Sequence, residues 1–255
     1  MKSYVIHLIR HGASAGNLQG KYIGRTDSPL AMATVKTLAE LKNKYEYPEA
    51  DAFYCSPSTR CRDTLTILYP GKPQTDVPGM EECDFGDWED KTASELEKSD
   101  PAFASWVAGG PQVSPPNGED GAVFMHRVCA AFEKLVEDLI RSHTYTSVLV
   151  IPGGVMMTIL SAYGLPKAPF YDWMCEPGCG YSLRIMPGLW MRGMVAEVFE
   201  TLPRSGDKPA PVDHTVIDLA REAANRAYGK KEESESTDKP AETETETETK
   251  SETES

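Results

Sequence analysis

Positive charge is scarce: 26 Lys+Arg against 39 Asp+Glu give the 255-residue chain a formal charge of −13. Gripping a phosphate backbone needs net or clustered positive charge, so nucleic acid is excluded as a partner. Long hydrophobic runs are missing as well. No segment reaches the ~18 apolar residues that a membrane span needs, so no membrane partner is expected. Cysteine is sparse and scattered: Cys55, Cys61, Cys83, Cys129, Cys175 and Cys179. The opening MKSYVIHLIRHG lacks a small-residue cleavage site and reads as a first strand. Free thiols in a reducing cytoplasm are therefore expected, not a disulfide framework. Cys175 and Cys179 stand four apart with no second pair of similar spacing, so a metal site is not expected there. An apolar fraction of 40% and a charged fraction of 25% suit a globular protein with one sizeable core.

What is present divides into two kinds of polymer. Residues 230–255 contain the run ETETETETK and almost nothing apolar, with ten acids and four lysines. Such a segment cannot bury enough surface to offset its ordering entropy, so a disordered acidic tail is expected. Residues 1–229 are expected to form one domain. Within it, strand-like runs (4–9, 52–55, 147–151, 181–185, 195–201) alternate with helical patterns (30–44, 57–68, 122–140, and the stretch after Gly153-Gly154). Ser56-Pro57 reads as an N-cap with proline at the first helical position. Val128, Phe132, Leu135, Val136 and Leu139 mark one apolar helix face. The alternation predicts an α/β fold with a mostly parallel sheet covered on both faces, whose ligands lie beyond the carboxyl ends of the strands.

At the end of the first strand stands Arg10-His11-Gly12. Arginine holds two oxygens of a phosphoryl group with its fork, and an adjacent histidine serves as nucleophile, base or ligand. Alone, the tripeptide reads equally as a packed histidine beside a surface arginine. The second strand runs into Cys55-Ser56-Pro57-Ser58-Thr59-Arg60, which puts Arg60 in the first turn of a helix, where anions are favoured. Glu81-Glu82-Cys83-Asp84-Phe85-Gly86-Asp87-Trp88-Glu89 follows. Gly118-Glu119 then precedes the long helix that carries Arg127.

LIRHGASAGN, CSPSTRCRDT and EECDFGDWE, in this order, resemble the histidine phosphatase superfamily over about residues 4–201. The resemblance implies the phosphoglycerate mutase-like fold, a three-layer α/β/α sandwich, and a phosphohistidine intermediate made without metal or other cofactor. It places His11 as nucleophile, Arg10 and Arg60 as phosphate clamps, Glu82 as proton donor and Asn17 as a polar neighbour of the phosphate. The partner it implies is a small phosphorylated substrate or inorganic phosphate. The other histidines, His7, His126, His143 and His214, are expected in core or surface roles. Asp84, Asp87 and Glu89 are expected as loop or rim residues, and Trp88 as a cleft wall or core anchor. For Arg127 the two readings are distinct: a reach to a rim carboxylate such as Glu119, or, as the preferred one, a plain helix-surface pair. Arg62 is expected as a surface cation.

One position departs from the family pattern. The fourth strand normally ends in His-Gly, and here Pro152 precedes Gly153-Gly154. Proline offers no side-chain donor and no N–H. Two readings follow: a phosphomonoesterase slowed by Pro152, or a pseudophosphatase that binds a phosphorylated ligand without turnover. A phosphoglycerate mutase is the weaker third. The two glycines at a helix start are expected to keep some anion affinity.

Overall fold

The protein is described from a computed structural model, which covers residues 2–108 and 113–204. The acidic tail expected over 230–255, His214, and the 205–229 portion of the expected domain lie outside the described residues.

The strands are β1 (Tyr4–Arg10), β2 (Ala52–Cys55), β3 (Thr75–Asp76), β4 (Thr146–Ile151), β5 (Gly164–Leu165), β6 (Gly180–Ile185) and β7 (Ala196–Leu202). The helices are α1 (Ala15–Leu18), α2 (Met32–Lys44), α3 (Thr59–Leu68), α4 (Ala93–Ser99), α5 (Pro101–Val107), α6 (Gly121–Ser142), α7 (Gly153–Tyr163) and α8 (Pro187–Gly193). They build one mixed sheet in the order β3-β2-β4-β1-β6-β7-β5. β1 pairs parallel to β4, β4 to β2, β2 to β3 and β5 to β7, whereas β6 runs antiparallel to both β1 and β7. The expected mostly parallel sheet is therefore present, with β6 as the reversed strand.

Alternation along the central strands divides the core in two. Ile6 and Leu8 of β1 with Leu149 and Ile151 of β4 pack on α6 and α7, against Val128, Phe132, Val155 and Ile159. Ile9 with Val148 and Val150 packs on the other face, against Leu38, Cys61 and Leu65 of α2 and α3. Both faces are covered, which is why these strands read as continuous apolar runs. The long helix starts where Asp120 Oδ1 accepts from Ala122 N at 2.8 Å and from Val123 N at 3.3 Å. It ends at His143 in the left-handed region, φ 57°. Two local expectations move. α2 starts at Met32, not Leu30, and the N-cap of α3 is Ser58, two residues after Ser56. The Pro57 turn is thus outside the helix, and Arg60 remains in its first turn.

His7 lies inside β1 with 3% of its surface exposed. Its Nδ1 meets Ser182 Oγ at 2.8 Å, and that hydroxyl donates to Glu200 Oε2 at 3.1 Å. Burial, reinforced by Arg204 and opposed by Glu200, pushes the His7 pKa down to about 4. The unfolded chain binds this proton near pH 6.5 and the folded chain does not until about 4. Stability should therefore fall as pH drops through that window, by at most about 1.4 kcal/mol per pH unit for this group. Urea unfolding between pH 7 and 4 is expected to show a shallower decline for His7→Gln than for the unaltered chain.

Candidate active site

The parallel register sets Arg10 of β1 opposite Ile151 of β4. His11 N–H extends the ladder to Ile151 O at 3.1 Å, so His11 leaves the sheet at its carboxyl edge, beside the buried N-cap of α7, Pro152. Gly12 then donates to Thr64 Oγ1 at 2.8 Å. A Cβ on Gly12 would stand 2.7 Å from Thr34 Cγ2 and 2.8 Å from Leu38 Cδ1, so glycine lets this loop lie directly on α2.

The imidazole of His11 is 6% exposed. Its Nδ1 lies 2.6 Å from Gly12 O. A carbonyl only accepts, so Nδ1 carries the hydrogen and Nε2 keeps its lone pair. Arg60 Nε donates to that Nε2 at 3.2 Å. Burial first, then the Arg60 and Arg10 charges, outweigh the Gly12 carbonyl and push the His11 pKa down to about 3. At neutral pH this is an uncharged imidazole with an aimed nitrogen.

Arg60 is a buried cation, 1% exposed. Its Nη2 donates to Gly24 O at 2.9 Å and Ile23 O at 3.3 Å, and its Nη1 to Thr26 O at 3.1 Å. The carboxylate of Glu89 orders that loop from the other side. It accepts from Gly24 N, Arg25 N, Thr26 N, Thr26 Oγ1 and Phe85 N, at 2.7 to 3.4 Å. The N–H groups of the loop turn to Glu89, its carbonyls turn to Arg60, and Nε is left for His11.

Arg10 Nη1 donates to Cys175 O at 2.5 Å, while its buried Nε has no hydrogen-bond partner among the described residues. Nε lies 3.1 Å from where a Cβ on Gly153 would stand. A buried cationic donor without an acceptor is costly, and an oxyanion at the N-terminus of the 11-residue α7 would satisfy it. Glu82 closes the group. Its Oε2 accepts from Gly154 N at 2.9 Å and its Oε1 from Cys83 N at 3.0 Å. Burial raises its pKa above the ordinary glutamate value, against those two N–H groups and the charges of Arg60 and Arg10. A Cβ on Gly154 would stand 2.3 Å from Glu82 Oε1, so any side chain there would displace the Glu82 carboxyl.

His11, Arg10, Arg60, Glu82 and Gly153 thus converge at one sheet edge, with Pro152 beside them. Asn17 is placed by its helix cap, which uses the side-chain oxygen and leaves the Nδ2 donor outside these contacts. Its Oδ1 accepts from Ser14 N at 3.1 Å and Ser14 Oγ at 3.0 Å, closing the capping box of α1. Gly154 also differs from expectation, because its N–H is committed to Glu82. Trp88 is a core anchor, 1% exposed, with Nε1 donating to Asp100 Oδ2 at 2.9 Å. Arg62 is the expected surface cation, paired with Asp76 at 2.5 Å. Arg127 is no plain surface pair: it binds Glu119 and also the carbonyls of the loop that carries Glu82. Glu89 was legible only as an acid near a tryptophan, since all its partners except Phe85 N lie more than sixty residues away at 24–26. Cys175 Sγ meets Cys179 O at 3.4 Å, and among the described residues no group of three or more His, Cys, Asp or Glu side chains could hold a metal ion. No helix among them is long and apolar enough to cross a membrane.

The sequence model of the histidine phosphatase superfamily (branch 1) matches residues 6–193. An adenosylcobalamin/α-ribazole phosphatase of Salmonella typhimurium is 27% identical over 186 residues, 71% of this chain and 90% of that one. An acid phosphatase of Mycobacterium tuberculosis is 28% identical over 180 residues, 66% and 85% of the two chains. Among solved structures, the α-ribazole phosphatase of Shigella flexneri superposes with a TM-score of 0.67 at 23% identity, covering 81% of this chain and 100% of that one. A phosphoglycerate mutase of Bacillus anthracis superposes with a TM-score of 0.63 at 16% identity, covering 86% and 97%. The last two likenesses establish the fold.

The unsatisfied Arg10 Nε leads to a direct expectation. Inorganic phosphate should raise the melting temperature of the unaltered chain with the logarithm of its concentration once that exceeds Kd. Arg10→Met should remove most of that phosphate-dependent rise in a thermal scan, and Arg62→Met should keep it.

Proposed function

The chain belongs to the histidine phosphatase superfamily, and from that premise we propose that it hydrolyses small phosphomonoesters through a phosphohistidine on His11, at a rate reduced by Pro152. The observation that carries this reading is the His11 tautomer. Nδ1 is held by Gly12 O, which leaves a neutral Nε2 in contact with the Arg60 guanidinium. Phosphatases are the named relatives, and the α-ribazole phosphates of those enzymes are the first substrates to try.

On substrate binding the Arg60 Nε–H passes from His11 Nε2 to a phosphoryl oxygen, which frees the lone pair. In the first step Nε2 attacks phosphorus, a P–N bond forms and the P–O bond to the leaving group breaks. The leaving oxygen takes the proton of Glu82, whose raised pKa keeps it protonated beyond the usual carboxylate range. Arg10 Nε and Arg60 Nε hold the equatorial oxygens as charge redistributes in the transition state. In the second step water attacks phosphorus and returns a proton to Glu82. The P–N bond breaks, releasing phosphate.

Pro152 supports a second reading, a phosphate-binding protein with little turnover. At this position the family carries a histidine that donates to the phosphoryl oxygens, and proline donates nothing. Losing one such donor costs about 10²–10³ in rate.

The test is one paired assay with p-nitrophenyl phosphate. The unaltered chain should hydrolyse it slowly, His11→Ala should be inert, and Pro152→His should gain about 10²–10³ in kcat. If the unaltered chain equals His11→Ala while Pro152→His is active, the binding-protein reading holds instead. If all three are inert, the site does not do this chemistry.

The pH profile gives an independent measurement. With His11 titrating near 3 and Glu82 above its usual range, kcat/KM on an alkyl phosphate, whose leaving group needs a proton, should be highest in acid and fall as pH rises through the Glu82 pKa. Glu82→Gln should abolish that falling limb.

A further inference from the structure

The carboxyl of Glu82 is reached from α7, α3 and β1, but the main chain that carries it is held from α6. Arg127 Nη1 donates to Gly79 O at 2.9 Å and Glu81 O at 3.1 Å, and Nη2 to Glu82 O at 3.4 Å. One guanidinium thus takes three carbonyls, those of residues 79, 81 and 82, in a loop with no regular structure of its own. The fork is itself fixed. Nε and Nη2 bind Glu119 Oε1 and Oε2 at 2.8 and 2.6 Å, a bidentate pair that sets the plane of the guanidinium. Glu119 also holds the far end of the loop, since its N–H donates to Asp84 O at 2.8 Å and its Oε2 accepts from Asp84 N at 3.4 Å. Gly79 makes the close approach feasible. Its φ is +91°, and a Cβ there would stand 2.8 Å from Ala131 Cβ on α6.

We infer that Arg127, braced by Glu119, is the positioning residue for the Glu82 carboxyl, holding residues 79–84 so that Glu82 meets the N-terminus of α7. Arg127 meets Glu82 at the main-chain oxygen, not at the carboxyl, so it acts through geometry. The groups that face the carboxyl are Gly154 N–H on α7, Cys83 N–H, Arg60 on α3 and Arg10 on β1. Without the clamp the loop gains freedom, the carboxyl leaves Gly154, and its proton affinity reverts toward that of a solvated glutamate. As a proton donor, this part of the inference rests on the phosphatase reading above. As a structural device, it does not.

The experiment therefore has two arms, applied to Arg127→Met, Arg127→Lys and Glu119→Gln in the full chain. The first follows the amide resonance of Gly154 against pH, which reports Glu82 ionisation whether or not the protein turns over. The unaltered chain should titrate above the ordinary glutamate range, and Arg127→Met and Glu119→Gln should bring the midpoint down to about 4.3. The second arm compares p-nitrophenyl phosphate, whose leaving group departs without a proton, with an alkyl phosphate, whose leaving group needs one. Arg127→Met should cut kcat on the alkyl ester by about 10²-fold, near the lower end of what a general acid contributes, and on p-nitrophenyl phosphate by less than about tenfold. Arg127→Lys, which keeps the charge and one or two of the contacts, should recover part of the alkyl activity. A Gly154 midpoint unmoved in both variants overturns the proposal, as does an equal loss on the two esters. Should Arg127→Met not fold, Glu119→Gln decides by the same readouts. Failure of the phosphatase reading shows separately, as p-nitrophenyl phosphate hydrolysis indifferent to His11→Ala.

Discussion

Arg60 is a full positive charge with 1% of its surface in solvent, and no carboxylate shares its hydrogen bonds. Removing such an ion from water is costly unless other dipoles replace its hydration. Here the replacement is main chain: the carbonyls of Ile23, Gly24 and Thr26. Those carbonyls can all face one way only because the N–H groups between them face another way, toward Glu89. The loop is a polarised layer between an anion and a cation. A Cβ on Gly24 would stand 1.9 Å from Cys83 O, so the layer also has no room to thicken. The same layer helps hold His11 uncharged. With both Nη atoms spent on the loop, Nε is the part of the guanidinium that faces His11, and its charge helps keep that ring unprotonated.

Glu82 and His11 are thus supported by one device used twice. Around 23–26 a carboxylate collects N–H groups and a guanidinium collects carbonyls. Around 79–84 Arg127 collects the carbonyls and Glu119 takes the N–H of Asp84. Loops beyond the ends of parallel strands lack ladder partners, and charged side chains supply the hydrogen bonds that a neighbouring strand would otherwise give. The consequence is precision without regular structure. It also explains why the residues that position the site are acids and arginines from distant parts of the chain, such as Glu89 and Arg127.

How much of this was legible followed from how local each cause is. His11, Arg10 and Arg60 could be placed because each is tied to the end of a strand or the first turn of a helix, and a β-branched run or a helical pattern announces both. The two-sided core was legible in the unbroken apolar runs of β1 and β4. Strand direction was not: β6 reads like any buried strand, and its reversal depends on the path from β5 through 166–179. Asn17 shows a second role that the motif did not announce. The Ser14-to-Asn17 spacing is also that of a helix cap, and the cap engages the side-chain oxygen while leaving the Nδ2 donor outside it. Glu89 and Arg127 act on main-chain atoms, and no side-chain pattern records which carbonyls a guanidinium will meet.

Pro152 sits where these two supported halves meet, and its effect is best judged by what each remaining donor can distinguish. Arg10 Nε and the α7 N-terminus border the place a phosphate would occupy, and Arg60 Nε, which donates to His11 in this structure, joins them on the reading proposed above. Donors of this kind bind a ground-state oxyanion and a transition state with similar strength, and uniform binding lowers the concentration needed for saturation without raising the rate. A cationic imidazole at position 152 would act more selectively, because it faces the oxygens whose charge changes as the P–O bond breaks. Proline removes that selective contribution and leaves the uniform ones intact. On this reasoning the chain should keep most of the family's affinity for phosphate while losing a larger share of its rate, and the Gly154 N–H, already committed to Glu82, is not available to make up the difference.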